Sequence, residues 1–139
     1  MQMRDGLTAE LADWMRRGYP YEVVALLLGS FGSADDIAIT QFVPVANQAH
    51  DASRHFIMDP QGWLKADAQA QSLGLEIVGM VHSHPDAQPR PSHTDAASAD
   101  ILGMRFAYLI ASVDSDGDVV LQAWRWDGQT FCEQRLQWL

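Results

Sequence analysis

The spacing of apolar residues predicts a chain of three helices and six strands. In residues 7–17 the apolar positions fall on one helical face, and Gly18 ends the helix. A second helix is predicted from Pro60 to a terminator at Gly74, and a third from Ser92 to about Gly103. Short apolar or alternating runs predict the strands, at residues 23–28, 37–45, 76–82, 106–113, 119–126 and 129–139.

The order of these elements predicts the fold class. The uninterrupted apolar run at residues 23–28 suits a buried strand, and residues 29–36 are predicted to be a turn-rich break after it. The last three strands are predicted to form an antiparallel meander, with a hairpin turn at Asp127 and Gly128. Because the chain has no internal repeat and no long linker, we expect one α+β domain over residues 1–139, a mixed, curved sheet flanked by helices.

Composition narrows the classes of function. The net charge of −9 would repel a phosphate backbone, so a nucleic-acid partner is not expected. The one cysteine, Cys132, has no internal disulfide partner and is predicted to be a small buried hydrophobic residue. No segment reaches the roughly 18 apolar residues of a membrane span, and the first residues lack an apolar signal core. We therefore expect a soluble cytoplasmic protein with no membrane partner.

Two histidines mark the segment with the clearest candidate chemistry. His82 and His84 lie two residues apart at the end of a predicted strand, so both side chains point to the same face of the sheet. Pro85 ends the strand, so both rings lie at the end of the strand and not in the middle of the sheet. Two imidazoles in this arrangement can share one zinc ion, although a His-x-His pair alone is a weak signal.

A carboxylate at the start of the next helix completes a candidate ligand set. Ser92 is a good N-cap residue, and Asp95 then falls in the first helical turn, where the helix dipole favours an acidic residue even without a metal. Beside two histidines, however, Asp95 supplies a third ligand. Three protein ligands and one water form the catalytic pattern for zinc, whereas a structural site closes with a fourth protein ligand.

The combined pattern resembles the JAMM signature of the MPN-plus, or JAB-domain, proteins. Residues 82–85 read His-Ser-His-Pro, and seven residues separate His84 from the Ser-x-x-Asp sequence that ends at Asp95. The family also has an upstream Glu after a Pro and before an apolar strand that ends in Gly, and Glu22 stands in this position. Ala25 replaces a Gly that is frequent in the family, a departure that touches no candidate site residue. Further similarity at residues 44–47 and 56–60 extends the likeness over nearly the whole chain.

The resemblance implies a stand-alone, bacterial-type zinc metalloprotease with a cytidine-deaminase-like sandwich fold and one Zn²⁺ per chain. His82, His84 and Asp95 match the zinc ligands, Glu22 matches the general base, and Ser92 matches the residue that stabilises the oxyanion. The implied substrate is an amide bond at the C-terminus of a ubiquitin-like protein, with a sulfur-carrier protein as a narrower candidate. Two alternatives stay open: a non-catalytic scaffold of the same fold, and a zinc hydrolase of small amides. The sequence does not set the oligomeric state.

The remaining polar residues near these motifs are predicted to have other roles. His93 is expected to lie on the surface, and Ser83 is expected to point to the opposite face from its histidine neighbours. Residues 46–59 show no period and are predicted to be mostly loop, with His50 and His55 solvated in it. The aspartates at residues 114–118 resemble a calcium loop superficially. The segment lacks Gly and Glu at the positions where such a loop requires them, so a hairpin turn is predicted.

Overall fold

The structure, a computed structural model, describes residues 1–33, 36–49 and 58–138. Over these residues it contains three helices, α1 (Leu7–Gly18), α2 (Pro60–Ser72) and α3 (His93–Leu102). The same residues form eight strands, β1 (Gln2–Met3), β2 (Val24–Phe31), β3 (Ile37–Val45), β4 (Glu76–Pro85), β5 (Ala107–Val113), β6 (Val119–Trp126), β7 (Phe131–Gln134) and β8 (Gln137–Trp138). None of the three described helices combines the length and the apolar character needed to cross a membrane.

The strands join one mixed sheet in the order β7-β6-β5-β4-β2-β3-β1-β8. Strand β4 runs parallel to β5, and β1 runs parallel to both β3 and β8, whereas the other neighbouring pairs are antiparallel. Strands β5, β6 and β7 form the predicted antiparallel meander. The expected α+β class, with a mixed sheet flanked by helices, is therefore confirmed.

Both faces of β2 are buried, which explains its uninterrupted apolar run. Ala25 and Leu27 point to the face covered by α1, where they pack in one hydrophobic cluster with Leu11 and Met15. The alternate residues of β2 point to the opposite face and pack with α2 and α3, namely Val24, Leu26 and Leu28. A strand that is covered on both sides needs apolar residues at every position, so it lacks the alternation of a half-exposed strand.

The break predicted over residues 29–36 starts three residues too early, because β2 continues to Phe31 before β3 begins at Ile37. Its pairing with β3 shifts register between Leu28 and Gly29, so the strand passes through an irregularity instead of ending. A side chain at Gly29 would meet the carbonyl oxygen of Ala38 on β3, since its Cβ atom would lie only 1.8 Å from that oxygen. The glycine therefore allows close approach of two strands, which is a different function from opening a turn.

The predicted final strand at residues 129–139 is two separate strands. Strand β7 pairs with β6, whereas β8 crosses to the far edge of the sheet and pairs with β1, a strand that the sequence did not predict. The prediction that Cys132 is buried is also wrong, because it lies exposed on β7. Strand β7 is an edge strand, and its side chains alternate between Phe131, packed against the sheet core, and Cys132, directed to solvent.

Candidate metal centre

The pairing of β2 with β4 brings Glu22 to the two histidines. Val24 lies directly opposite His82 in this antiparallel ladder. Extending the register by two residues places Glu22 opposite His84 and on the same face of the sheet. The observed distance between Glu22 Oε1 and His84 Nε2 is 4.0 Å, and both Glu22 and His82 are buried, with 4% of each residue exposed. Glu22 and His84, which are 62 positions apart in the chain, thus meet through strand pairing.

The two imidazole rings converge on one point through their Nε2 atoms. His82 Nε2 and His84 Nε2 lie 3.1 Å apart. His84 Nδ1 lies 2.9 Å from the backbone oxygen of Gln88. A carbonyl oxygen only accepts hydrogen bonds, so Nδ1 of His84 carries a proton, and in the neutral ring Nε2 then presents the lone pair. This is the tautomer that a metal-ligating histidine requires, fixed by a partner outside the ligand set.

Helix α3 delivers Asp95 to the same point through a capping box. Ser92 is the N-cap residue, and its Oγ accepts a hydrogen bond of 3.2 Å from the backbone amide of Asp95. In return, Asp95 Oδ2 accepts a hydrogen bond of 2.7 Å from the backbone amide of Ser92. The carboxylate then reaches both rings, with Oδ1 lying 3.0 Å from His82 Nε2 and Oδ2 lying 3.4 Å from His84 Nε2.

The electrostatics of the cluster follow from burial and from the shared carboxylate. Burial lowers the pKa of His82 below its ordinary value and outweighs its hydrogen bond to the Asp95 carboxylate, so this imidazole favours the neutral, metal-binding form. Burial acts in the same direction on His84, but Asp95 and the Gln88 carbonyl outweigh it and raise its pKa. Burial alone would raise the pKa of Asp95, yet its hydrogen bonds with His82 and His84 hold that pKa well below its usual range.

The donor set and its dimensions fit a zinc ion. Zinc takes imidazole nitrogen and carboxylate oxygen at about 2.0–2.1 Å, and tetrahedral geometry then separates the ligand atoms by roughly 3.3 Å. The distances that join His82 Nε2 to His84 Nε2, and Asp95 to each ring, are 3.1, 3.0 and 3.4 Å. Two imidazoles and one carboxylate also leave a fourth position for a water or a substrate, as catalytic zinc sites do.

Glu22 is the alternative carboxylate ligand, because its oxygen and the two ring nitrogens all lie within 4.8 Å of one another. The distances favour Asp95 in that role. Asp95 lies 3.0 and 3.4 Å from the histidine nitrogens, whereas Glu22 lies 4.0 Å from His84 Nε2. A carboxylate at this longer distance suits contact with a water at the open position better than contact with the ion itself.

The other predicted residues occupy varied positions around the cluster. Ser92 is exposed at the start of α3 and is tied to Asp95 by the capping box, so it borders the buried cluster. His93 is exposed, as predicted. Asp114 forms a turn, in which its Oδ1 accepts hydrogen bonds from the backbone amides of Asp116 and Asp118, as the predicted hairpin requires. His50 and His55 lie outside the described residues.

Two positioning contacts escaped the sequence analysis. Asn47 donates a hydrogen bond of 2.9 Å from its Nδ2 to the backbone oxygen of Glu22. Ser83, between the two histidines, accepts a hydrogen bond of 3.0 Å from the backbone amide of Val23, while its own amide donates to the Val23 oxygen. These contacts fix the end of β2 against β4 at the level of the cluster. The sequence signal for Asn47 was the family-like segment at residues 44–47, and the signal for Ser83 was a polar residue inside an otherwise apolar strand.

Comparison with known proteins now places the chain in a family. Residues 5–127 match the family described as prokaryotic homologs of the JAB domain. The chain belongs to this prokaryotic JAB family. The expected resemblance to the JAB-domain family is therefore confirmed over most of the chain.

Two relatives of this prokaryotic JAB protein are named as enzymes, a desampylase and a deubiquitinase. It is 31% identical over 130 residues to a desampylase from Haloferax volcanii, a match that covers 94% of this chain and 87% of that protein. It is 32% identical over 106 residues to the deubiquitinase BRCC36 from Camponotus floridanus, which covers 70% of this chain and 41% of that protein. A solution structure of a Desulfitobacterium hafniense protein aligns over 100% of this chain and 93% of its own, with a TM-score of 0.84 and 26% identity.

Proposed function

We propose that this protein is a zinc-dependent peptidase or isopeptidase that hydrolyses an amide bond at the C-terminus of a ubiquitin-like protein. A sulfur-carrier protein is the narrower candidate substrate. The observation that carries the proposal is the convergence of His82, His84 and Asp95 within 3.4 Å of one another, with Glu22 adjacent. Two relatives named for the removal of protein modifiers, a desampylase and a deubiquitinase, support the substrate class.

We assign His82, His84 and Asp95 as the ligands that hold one Zn²⁺. When bound, zinc lowers the pKa of a coordinated water to about 7 and polarises the scissile carbonyl. The Gln88 carbonyl keeps the His84 tautomer that exposes Nε2, and the Ser92 amide orients the Asp95 carboxylate. His84 and Asp95 are therefore oriented by partners outside the ligand set.

Glu22 is assigned as the general base. Its carboxylate accepts a proton from the attacking water and passes that proton to the departing amine. Asn47 holds the Glu22 backbone by its carbonyl oxygen, and the buried position keeps the carboxylate away from bulk water. The separation of 4.0 Å between Glu22 Oε1 and His84 Nε2, longer than the separations of Asp95 from the two rings, supports the role of a base over that of a ligand.

Ser92 is assigned to stabilise the tetrahedral oxygen that develops on the substrate. Its Oγ accepts the Asp95 amide through a lone pair, so its hydroxyl hydrogen stays available to donate in another direction. A donated hydrogen bond at this position would be stronger to the developing negative charge than to the neutral carbonyl. The capping role and the catalytic role therefore use different atoms of one hydroxyl.

The test is intact-mass analysis of a ubiquitin-fold carrier that bears a short extension after its terminal Gly-Gly. The carrier is incubated with zinc-loaded wild type, with zinc-loaded Glu22→Ala, and with wild type plus a chelator. We expect mass loss at the Gly-Gly boundary with wild type alone. A wild type that holds one zinc per chain but cleaves neither this carrier nor a Lys-linked conjugate of it would overturn the proposed substrate class, and cleavage of small-peptide amides instead would indicate the small-amide alternative.

A further inference from the structure

An open pocket of about 410 Å³ is lined in part by Ser92, the N-cap residue of α3. Its lining includes Arg90 and Ser92 from the segment before α3, and Gln129 and three aromatic residues from the β6–β7 hairpin, Trp124, Trp126 and Phe131. Ser92 connects it to the cluster, because the Ser92 amide bonds Asp95 Oδ2, which lies 3.4 Å from His84 Nε2. We call this cavity the indole pocket. Its volume is within the range of small-ligand sites, about 300–1,000 Å³.

The walls of the indole pocket are held in place by contacts within the protein. Trp124 Nε1 donates a hydrogen bond of 3.2 Å to the backbone oxygen of Pro89. The rings of Trp126 and Phe131 pack with their centroids 5.0 Å apart, and Phe131 also meets Tyr108 edge-on at 5.6 Å. Trp126 is buried, with 7% exposed. An apolar group that enters this pocket therefore meets a preformed aromatic surface and causes little rearrangement.

The charge of the indole pocket is opposite to that of the chain. The protein carries a net charge of −9, yet the residues that line this pocket include Arg90 and no carboxylate. The nearest acidic residue of the hairpin, Asp127, accepts hydrogen bonds from the backbone amides of Gln129 and Thr130 and from the Thr130 hydroxyl, so it is engaged in its own turn. Among the described residues, the Arg90 guanidinium makes no ion pair. An exposed guanidinium without an ion pair can bind the carboxylate of a ligand through two parallel hydrogen bonds.

We propose that the indole pocket binds the amine leaving group of the cleaved bond, an apolar residue whose free carboxylate pairs with Arg90. This inference rests on the proposed function. In the carrier substrate of the proposed function, the acyl side of the bond is Gly-Gly, which has no side chain to fill a cavity. A side-chain pocket lined in part by Ser92 therefore serves the amine side. The pocket would select C-terminal extensions that end in an apolar residue and would disfavour acidic ones.

The test compares two carrier substrates that differ only in one end group. One carries a single Leu with a free carboxylate after Gly-Gly, and the other carries the same Leu as its amide. We expect wild type to cleave the acid with the higher kcat/KM. Arg90→Gln should reduce the acid-to-amide ratio by about three- to fivefold, as expected for loss of one solvent-exposed charge pair. The matched control Arg17→Gln, on an exposed position of α1, should keep the wild-type ratio.

A charge placed in the indole pocket gives an independent variant. Gln129→Glu adds a carboxylate to the lining and should lower the acid-to-amide ratio, whereas Gln69→Glu, the same change on an exposed position of α2, should not. Equal cleavage of acid and amide by wild type would overturn the inference and leave the proposed function intact. So would an equal loss on both substrates in Arg90→Gln. Cleavage of neither substrate would count against the proposed function.

Binding without catalysis separates the two hypotheses further. N-acetyl-leucine and N-acetyl-leucinamide are titrated into metal-free protein, and the indole N–H signals of the tryptophans are followed by NMR. We expect N-acetyl-leucine to shift the signals of Trp124 and Trp126, and the amide to shift them less. The difference should disappear in Arg90→Gln. Absence of any shift at these two indoles would overturn the inference, whatever the cleavage assays show.

Discussion

The two halves of the candidate metal centre are held in place in different ways. The strand half consists of His82 and His84 on β4, which is hydrogen-bonded to β2 on one side and to β5 on the other, and of Glu22, two residues before β2. Asp95 and Ser92 come from α3, a helix in which only Asp95 and Ala99 are buried. Two hydrogen bonds of the capping box, of 2.7 and 3.2 Å, orient this second half.

This difference indicates how each half should respond to substitution. Backbone ladders position the strand half, so a side-chain change there removes a chemical group and leaves its neighbours in place. Side-chain hydrogen bonds position the helix half, so a change there removes a group and also the orientation of its partner. The strand half should therefore separate metal binding from catalysis, whereas the helix half should couple them.

The largest expected effect is that of Glu22→Ala on turnover. The substitution removes the proposed base, so kcat should fall by about 10²–10⁴-fold, the usual contribution of general acid–base catalysis. Zinc stoichiometry should stay at one per chain, because Asp95 and the two histidines are unchanged. Elemental analysis of the dialysed protein and a carrier-cleavage assay measure the two quantities.

A charge-matched control makes this prediction specific. Glu76→Ala removes an exposed carboxylate at the far end of β4 and should leave both zinc content and turnover unchanged. Loss of zinc from Glu22→Ala would show that Glu22 is a ligand, as its distance from the two histidines also allows. The assignment of Asp95 as third ligand would then be wrong.

The next largest effect is expected for Asp95→Ala. It removes one of three proposed ligands, so the Kd for zinc should rise by more than about 100-fold. Substitution of a residue that only contacts a ligand usually weakens metal binding by about 10- to 100-fold. Competition with a chromophoric chelator measures this change. The exposed Asp100 of the same helix provides the control, since Asp100→Ala should leave the affinity unchanged. Unchanged zinc affinity in Asp95→Ala would contradict its assignment as a ligand.

A smaller effect, on two properties together, is expected for Ser92→Ala. It removes the N-cap acceptor, which should cost about 1 kcal/mol of unfolding free energy, and the proposed oxyanion donor, which should lower kcat by about 10²-fold. Ser92→Asp keeps a capping oxygen but has no hydroxyl, so it should recover stability without recovering turnover. Denaturant unfolding and cleavage kinetics distinguish these outcomes. If Ser92→Asp regained full turnover, Ser92 would be a cap and nothing more.

The helix half could be predicted from the sequence more completely than the strand half. Ser92 and Asp95 are three residues apart, so local capping rules place them together, and the His82-x-His84 spacing fixes a shared face. The approach of Glu22 to His84 depends on the β2–β4 register, a long-range pairing that no local pattern specifies. The family resemblance supplied that contact instead. Strands of two residues, such as β1, are too short to show a period, so they escaped prediction.

The smallest expected effect concerns the segment that joins the two halves, residues 86–91. Trp124 holds this segment through its indole hydrogen bond to the Pro89 oxygen, and Trp124→Phe removes that bond while keeping an aromatic ring. Unfolding free energy should fall by about 0.5–1.5 kcal/mol more than in the control Trp63→Phe, a substitution on α2. Zinc affinity should fall only a few-fold, because the ladders and the capping box remain. Equal destabilisation of the two variants would mean that the indole hydrogen bond contributes nothing to stability. A large loss of zinc affinity in Trp124→Phe alone would mean that residues 86–91, and not the capping box, determine where Asp95 meets the histidines.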